Sequence, residues 1–459
     1  MPVKPDSRLT AVKLLPALHQ FLALAGSKVL DLERRWDPAR GTPVFTRAGR
    51  YTARGWTEWT QGFQYGCAIL YYDMTGEAPF LELGRRHTLE RMAPHLSHIG
   101  VHDHGFNNLS TYGNLRRLML EGHIPYDQRE LDFYELALKV SGAVQAARWT
   151  TTVQGAGFIH SFNGPHSLFA DTMRSLRSLG LAHQLGHMLM GEGDRPVNLL
   201  GRLAEHALNT VRFNVYYGEG RDAYDVPGRV AHESIFNARD GQYRCPSTQQ
   251  GYSPFSTWTR GLAWVLLGCA EQLEYIATLG DDQLKAWGGK KVLVRALEKA
   301  ALATAEFHWE HSFADGVPFW DTGAPGVAGF GPIAKLPSDP FNEVEPVDSS
   351  AAAICGQGFL RLGNYLQAAG KKIQGNRYRA AAFTIARTLL DRPYLSTDKK
   401  HQGLLLHSVY HRPNGWDYIP KGRQIPCGES AMWGDYHLLE LALLVKREAE
   451  GGPYPMFFS

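Results

Sequence analysis

The stretch Pro196-Val197-Asn198-Leu199-Leu200-Gly201-Arg202-Leu203-Ala204-Glu205-His206-Ala207-Leu208-Asn209-Thr210-Val211 decides the fold class. Leu199, Leu200, Leu203, Ala207 and Val211 recur at helical spacing, and Pro196 suits a first helical position. The same pattern runs from end to end. It predicts helices near 8–25, 59–75, 78–93, 106–121, 128–149, 168–190, 196–211, 257–279, 290–309, 347–368, 376–391 and 429–447. Strand-like alternation is confined to short pieces such as Gly403-Leu404-Leu405-Leu406-His407-Ser408-Val409. Helices joined by Gly/Pro-rich loops predict an all-α ring of helical hairpins, a toroid. No Ser/Gly/Pro linker, charge block or short-period repeat divides the chain, so residues 1–459 are expected to form a single domain.

The composition narrows the function. The chain has 459 residues, 20% of them charged, and a net charge of +3 with both signs interspersed. A dedicated nucleic-acid binder would instead carry a basic stripe. The five cysteines, Cys67, Cys245, Cys269, Cys355 and Cys427, are scattered without a CxxC pair and read as reduced thiols. No apolar run approaches a membrane span. The N-terminus MPVKPDSRLT has no apolar signal region, and a cytoplasmic location is the expectation.

Function concentrates in long ordered loops, here about 216–256, 313–347 and 407–429, which a helical ring would gather at one mouth. The first leads into Gln250-Gly251-Tyr252, a Ser/Thr cap region and the helix carrying Arg260 and Trp264. Those two are i and i+4 and share a face. An arginine beside a tryptophan suits a planar anion on an apolar ring, such as a uronic acid; an Arg snorkelling over a buried Trp has the same pattern. His102-Asp103-His104 is a loop with one carboxylate, and Asp171 heads an apolar helix. Two carboxylates are what sugar hydrolysis needs, one to give a proton and one to tune it. Asp171 also reads as an ordinary N-cap, and the histidine loop as a polar loop. Neither the histidine spacing nor a third ligand supports zinc, so no metal or cofactor is expected.

Together these segments resemble a family. His102-Asp103-His104-Gly105-Phe106, Asp171-Thr172-Met173, His232, Gln250-Gly251-Tyr252, Arg260-Gly261-Leu262-Ala263-Trp264, Asp348-Ser349-Ser350 and Gly434-Asp435-Tyr436 stand in the order seen in unsaturated glucuronyl hydrolases (glycoside hydrolase family 88). The related unsaturated rhamnogalacturonyl hydrolases stand behind them. The resemblance implies a six-hairpin (α/α)6 toroid. It also implies hydration of the C4=C5 bond of a 4,5-unsaturated uronic acid at the non-reducing end of lyase-made oligosaccharides. A proton goes to C4, water adds at C5, and the hemiketal rearranges to release the aglycone. By the same resemblance Asp171 is the general acid/base and Asp103 its partner on the sugar hydroxyls. Trp59, His232, Gln250, Arg260 and Trp264 would bind the substrate, with Trp56 as an alternative to Trp59. The expected state is a monomer or homodimer.

Three features depart from the family pattern. Gln64 stands where a tryptophan is usual, the segment from His206 to His232 is longer, and Trp416 to Ser430, with Lys421 and Arg423, replaces a shorter acidic region. Other readings stay open at this level: action on saturated glucuronides, a lyase using His232 or Tyr252 with Arg260, a toroid epimerase relying on histidines, or a non-catalytic sugar-binding protein.

Overall fold

A helix lined by neighbours on every side is mostly apolar or small, and any charge it carries is paired. Residues 104–119, 259–276, 349–363 and 431–445 are buried at every position. In the computed structural model, which describes residues 5–55, 58–456 and 458, these stretches form the inner wall of an (α/α)6 toroid. The hairpins run in chain order. They are α1 (Ala11–Arg35) with α2 (Gln61–Thr75), α3 (Ala78–Arg91) with α4 (104–120), and α5 (Gln128–Ala147) with α6 (172–184). Then come α7 (Leu199–Phe213) with α8 (Thr259–Thr278), α9 (Lys290–Glu310) with α10 (Ser349–Ala368), and α11 (Lys372–Leu389) with α12 (Met432–Glu450). The even-numbered helices pack side by side in sequence, and α12 closes the ring on α2. Among the described residues no helix is long and apolar enough to cross a membrane.

Several boundaries differ from expectation for local reasons. Helix α7 starts at Leu199, because the Asn198 side chain accepts from Gly201 N at 3.1 Å and caps it. Pro196 and Val197 instead pair with Met190 and Leu189. Helix α1 runs on to Arg35. Of the Gly403–Val409 stretch, Leu405 and Leu406 only form isolated bridges, to Leu395 and Ser430. A three-stranded antiparallel sheet was not foreseen: β1 (Ser167–Phe169), β2 (Glu233–Phe236) and β3 (Tyr243–Ser247), in the order β1-β2-β3.

Charge fills part of the inner wall. Arg174 of α6 pairs with Glu271 of α8 and with Glu440 of α12 (2.9 Å), and Arg361 of α10 pairs with Glu274 (2.8 Å). Burial alone would raise the Glu440 carboxyl, but Arg174 and Arg177 hold it down at about 2. Removing one partner strands buried charge. Glu271→Ala is therefore expected to destabilise the fold by about 3–5 kcal/mol. Urea or thermal unfolding reads this, and an unchanged midpoint would contradict it.

Candidate active site

Both expected carboxylates sit at the heads of inner helices, and neither is used as a cap. Asp103 precedes the first turn of α4 and Asp171 the first turn of α6, each without a side-chain capping bond. The plain N-cap reading of Asp171 therefore fails.

Contact between α4 and α6 brings the two together. Gly105 N donates to Ser175 Oγ (2.8 Å), which in turn donates to His102 O (2.8 Å). A Cβ on Gly105 would lie 2.3 Å from Ser175 O, so only glycine permits this approach. The small sheet aligns the other side. Phe169 pairs with Glu233, and Glu233 with Ser247. Asp171, His232 and Gln249 thus follow or precede neighbouring strand ends, and Ala170 N donates to His232 O at 2.9 Å.

Asp171 and Gln249 line a cavity of about 540 Å³, counting the space at its mouth, and His232 does not reach its wall. Trp59, Asp103, Asp171, Gln250, Arg260 and Trp264 all contribute to its wall. Trp59 stacks on Trp433 (5.1 Å, 24°), and Trp264 packs on Phe106 (4.9 Å). Trp56 lies outside the described residues. His232 stands behind Gln249 and Gln250, whose backbone N–H groups donate to its Nδ1 at 3.0 and 3.3 Å. The imidazole therefore carries its hydrogen on Nε2. Burial pushes His232 down to about 4, which keeps it neutral at physiological pH.

Arg260 is packed between Trp258 and Trp433, 4.6 and 4.8 Å from their ring centres. One terminal nitrogen donates to Asp348 (3.1 Å) and to Val409 O. The other donates to Gln250 Oε1 (3.0 Å) and Tyr410 O (2.8 Å). The fork thus braces the helix α10 head and the 409–410 backbone, and it turns the Gln250 amide nitrogen away from itself.

Residues that sequence reasoning left unassigned also line the cavity: His102, Phe162, Trp258, Tyr410, His411 and Trp416. Three of these lie in the third long loop, and Trp258 lies between Tyr252 and Arg260. Gln64 faces a separate cavity with Lys28, Glu33 and Asp435, so that departure does not touch the site. Arg423 ties the Trp416–Ser430 segment to Phe341 O (2.5 Å) and Asn342 O (2.6 Å) of the second loop.

The electrostatics reverse one expectation. Two bare carboxylates would raise whichever acid is weaker, and the acid role that the resemblance implies for Asp171 calls for a raised Asp171. Instead His102 Nε2 lies 3.3 Å from Asp171 Oδ1 and 3.7 Å from Asp103 Oδ1. Burial pushes Asp171 up, but His102 and, less strongly, His232 outweigh it and hold the carboxyl below its ordinary value. Asp103 is the raised one, by burial first and then by the Asp171 charge, against the pull of His102. Away from the cavity, Asp73, Glu121 and His123 bring three possible ligand atoms within 4.8 Å of one another. Arg117 and Arg447 already neutralise the two carboxylates.

No protein-family model matches the chain. The chain is 26% identical over 415 residues to an unsaturated glucuronyl hydrolase of Bacillus sp. strain GL1, covering 88% of this chain and 90% of that one. Its fold matches the crystal structure of an unsaturated glucuronyl hydrolase specific for heparin with a TM-score of 0.71, at 20% identity, over 95% of this chain and 98% of that one. It also matches a mutant unsaturated glucuronyl hydrolase from Streptococcus agalactiae complexed with dGlcA-GalNAc6S, with a TM-score of 0.62, at 19% identity, over 100% of both chains.

Proposed function

We propose that the protein removes a 4,5-unsaturated uronic acid from the non-reducing end of an oligosaccharide by hydrating its C4=C5 bond. The observation that supports this most is the pair Asp103 and Asp171 on one aromatic cavity wall, with His102 Nε2 within 4 Å of both. Asp171 gives a proton to C4. The π pair forms the new C–H bond, and oxocarbenium character develops at C5, which nearby carboxylate stabilises. Water bonds to C5 and its surplus proton returns to the site. The hemiketal opens and the aglycone leaves with the glycosidic oxygen.

Asp103 accepts from the sugar hydroxyls. Trp59 and Trp264 supply apolar faces for the ring. The Gln250 amide donates to the uronate; His232, behind the Gln249–Gln250 backbone, and Arg260, paired with Asp348 and bonded to Gln250 Oε1, hold that segment in place. The cavity lies at the N-terminal ends of inner helices, whose partial positive charge favours an anion. The lyase reading is weaker on geometry. His232 carries its hydrogen on Nε2 and so is no base there, and Tyr252 is 52% exposed and lines a neighbouring groove instead.

The test is a panel of lyase-made unsaturated disaccharides from chondroitin, hyaluronan, heparin, gellan, xanthan, ulvan and pectin, with saturated counterparts. Release of the uronic acid from unsaturated members alone is expected. Cleavage of the saturated series at a similar rate would reject the reading.

Arg260→Lys gives a narrower prediction. A lysine keeps the charge but cannot hold the four acceptors that the planar fork holds. The loss in kcat/KM is expected to equal about 2–5 kcal/mol, as for other truncated buried charge pairs. Steady-state kinetics decide it, and wild-type kinetics would remove Arg260 from the site.

A further inference from the structure

We propose that His102 is a positioning residue of this reaction, holding between Asp103 and Asp171 the proton that Asp171 delivers to the sugar. The inference rests on the hydration reading above. The ring is 2% exposed and fixed in place. Phe162 stacks on it at 5.9 Å and Phe169 meets it edge-on at 5.4 Å. Its backbone carbonyl accepts from Gln145 Nε2 (3.0 Å) and from Ser175 Oγ (2.8 Å). Both ring nitrogens are buried without a hydrogen-bond partner, and Nε2 faces both carboxylates at ion-pair distance, 3.3 Å from Asp171 and 3.7 Å from Asp103.

The other titratable groups around it are Arg148, His160, His206 and His232. Arg148 is spent on carbonyls of Ile99, His160 and Ser161. His160 meets Thr150 Oγ1 at 3.2 Å through Nδ1. His206 and His232 each accept backbone N–H groups at Nδ1, from Ile159 in the first case and from Gln249 and Gln250 in the second. His232 also feels Asp171 and Glu233, but among these rings it is His102 whose nitrogen comes within 4 Å of two carboxylates. Burial opposes a charge on His102, yet Asp103 and Asp171 lift it above its ordinary value, while burial pushes His206 down to about 3.

The step balances without an oxidant or reductant. The Nε2 proton passes to Asp171 Oδ1 as Asp171 protonates C4. The water that bonds to C5 gives one proton back to the pair, so one water is consumed per turnover.

The experiment has two arms. NMR titration of the His102 imidazole in substrate-free protein should show it charged above its ordinary value of ~6.5. In Asp171→Asn the same signal should fall below that value. In the second arm, His102→Gln should lower kcat by roughly a hundredfold, with KM changed far less, and should move the alkaline limb of the kcat profile to lower pH. A His102 that stays neutral from about pH 5 to 8 in the wild type would overturn the proposal. So would a His102→Gln variant with the wild-type pH profile. The titration needs no substrate, so it decides the pairing even if every uronide is inert; in that case the reaction, and not the pairing, is what fails.

Discussion

Asp171→Asn is expected to lower kcat on an unsaturated uronide by roughly 10²–10⁴-fold, the usual span for loss of a positioned acid. Protonation on carbon is the difficult step for a vinyl ether, and an amide can neither take up a proton from His102 nor pass it on as an acid. Asparagine has nearly the same shape, so substrate binding should survive and the effect should fall on kcat. Asp171 is free for this work because it does not cap α6. Its ground state is carboxylate, since His102 at 3.3 Å outweighs the burial that would raise it. Steady-state kinetics on several unsaturated disaccharides test the assignment. Retention of more than a few per cent of activity on all of them would make Asp171 a structural residue.

The second large effect is expected from Asp103→Asn. It removes an acceptor for sugar hydroxyls and should raise KM. It also removes one of the two carboxylates that lift His102 against burial. With that charge gone the imidazolium gives up its proton sooner as pH rises, so the alkaline limb of kcat/KM should move to lower pH. The accompanying fall in kcat is expected to be roughly a hundredfold. An unshifted limb, measured across neutral pH, would separate Asp103 from the proton held in the site.

The helices were readable because the inner ring is buried on all faces and mostly apolar, as in stretches 259–276 and 431–445. Asp103, Asp171, Arg260 and Trp264 sit in or beside helix starts and Gln250 in the loop leading into one, and the family resemblance implied their roles. Their mutual placement was less readable. Strands as short as Ser167–Phe169 carry no period, and β2, the partner of β1, lies far along the chain. That sheet nonetheless sets Asp171 beside His232. The role of His102 depends on how closely α4 meets α6 at Gly105 and Ser175, a contact between distant segments. Its absence from the sequence reading is why the tuning of the two aspartates came out reversed. Pro196 shows a smaller case of the same kind, where the Asn198 cap settled the start of α7.

Hydration of the C4=C5 bond is the central claim, and the ultraviolet absorbance of the unsaturated uronate tests it most directly. With a lyase-made disaccharide and purified protein, the band should fall in step with release of the second sugar, and Asp171→Asn should abolish both changes. A band that stays constant while that sugar is released, or one that grows on a saturated substrate, would contradict the account.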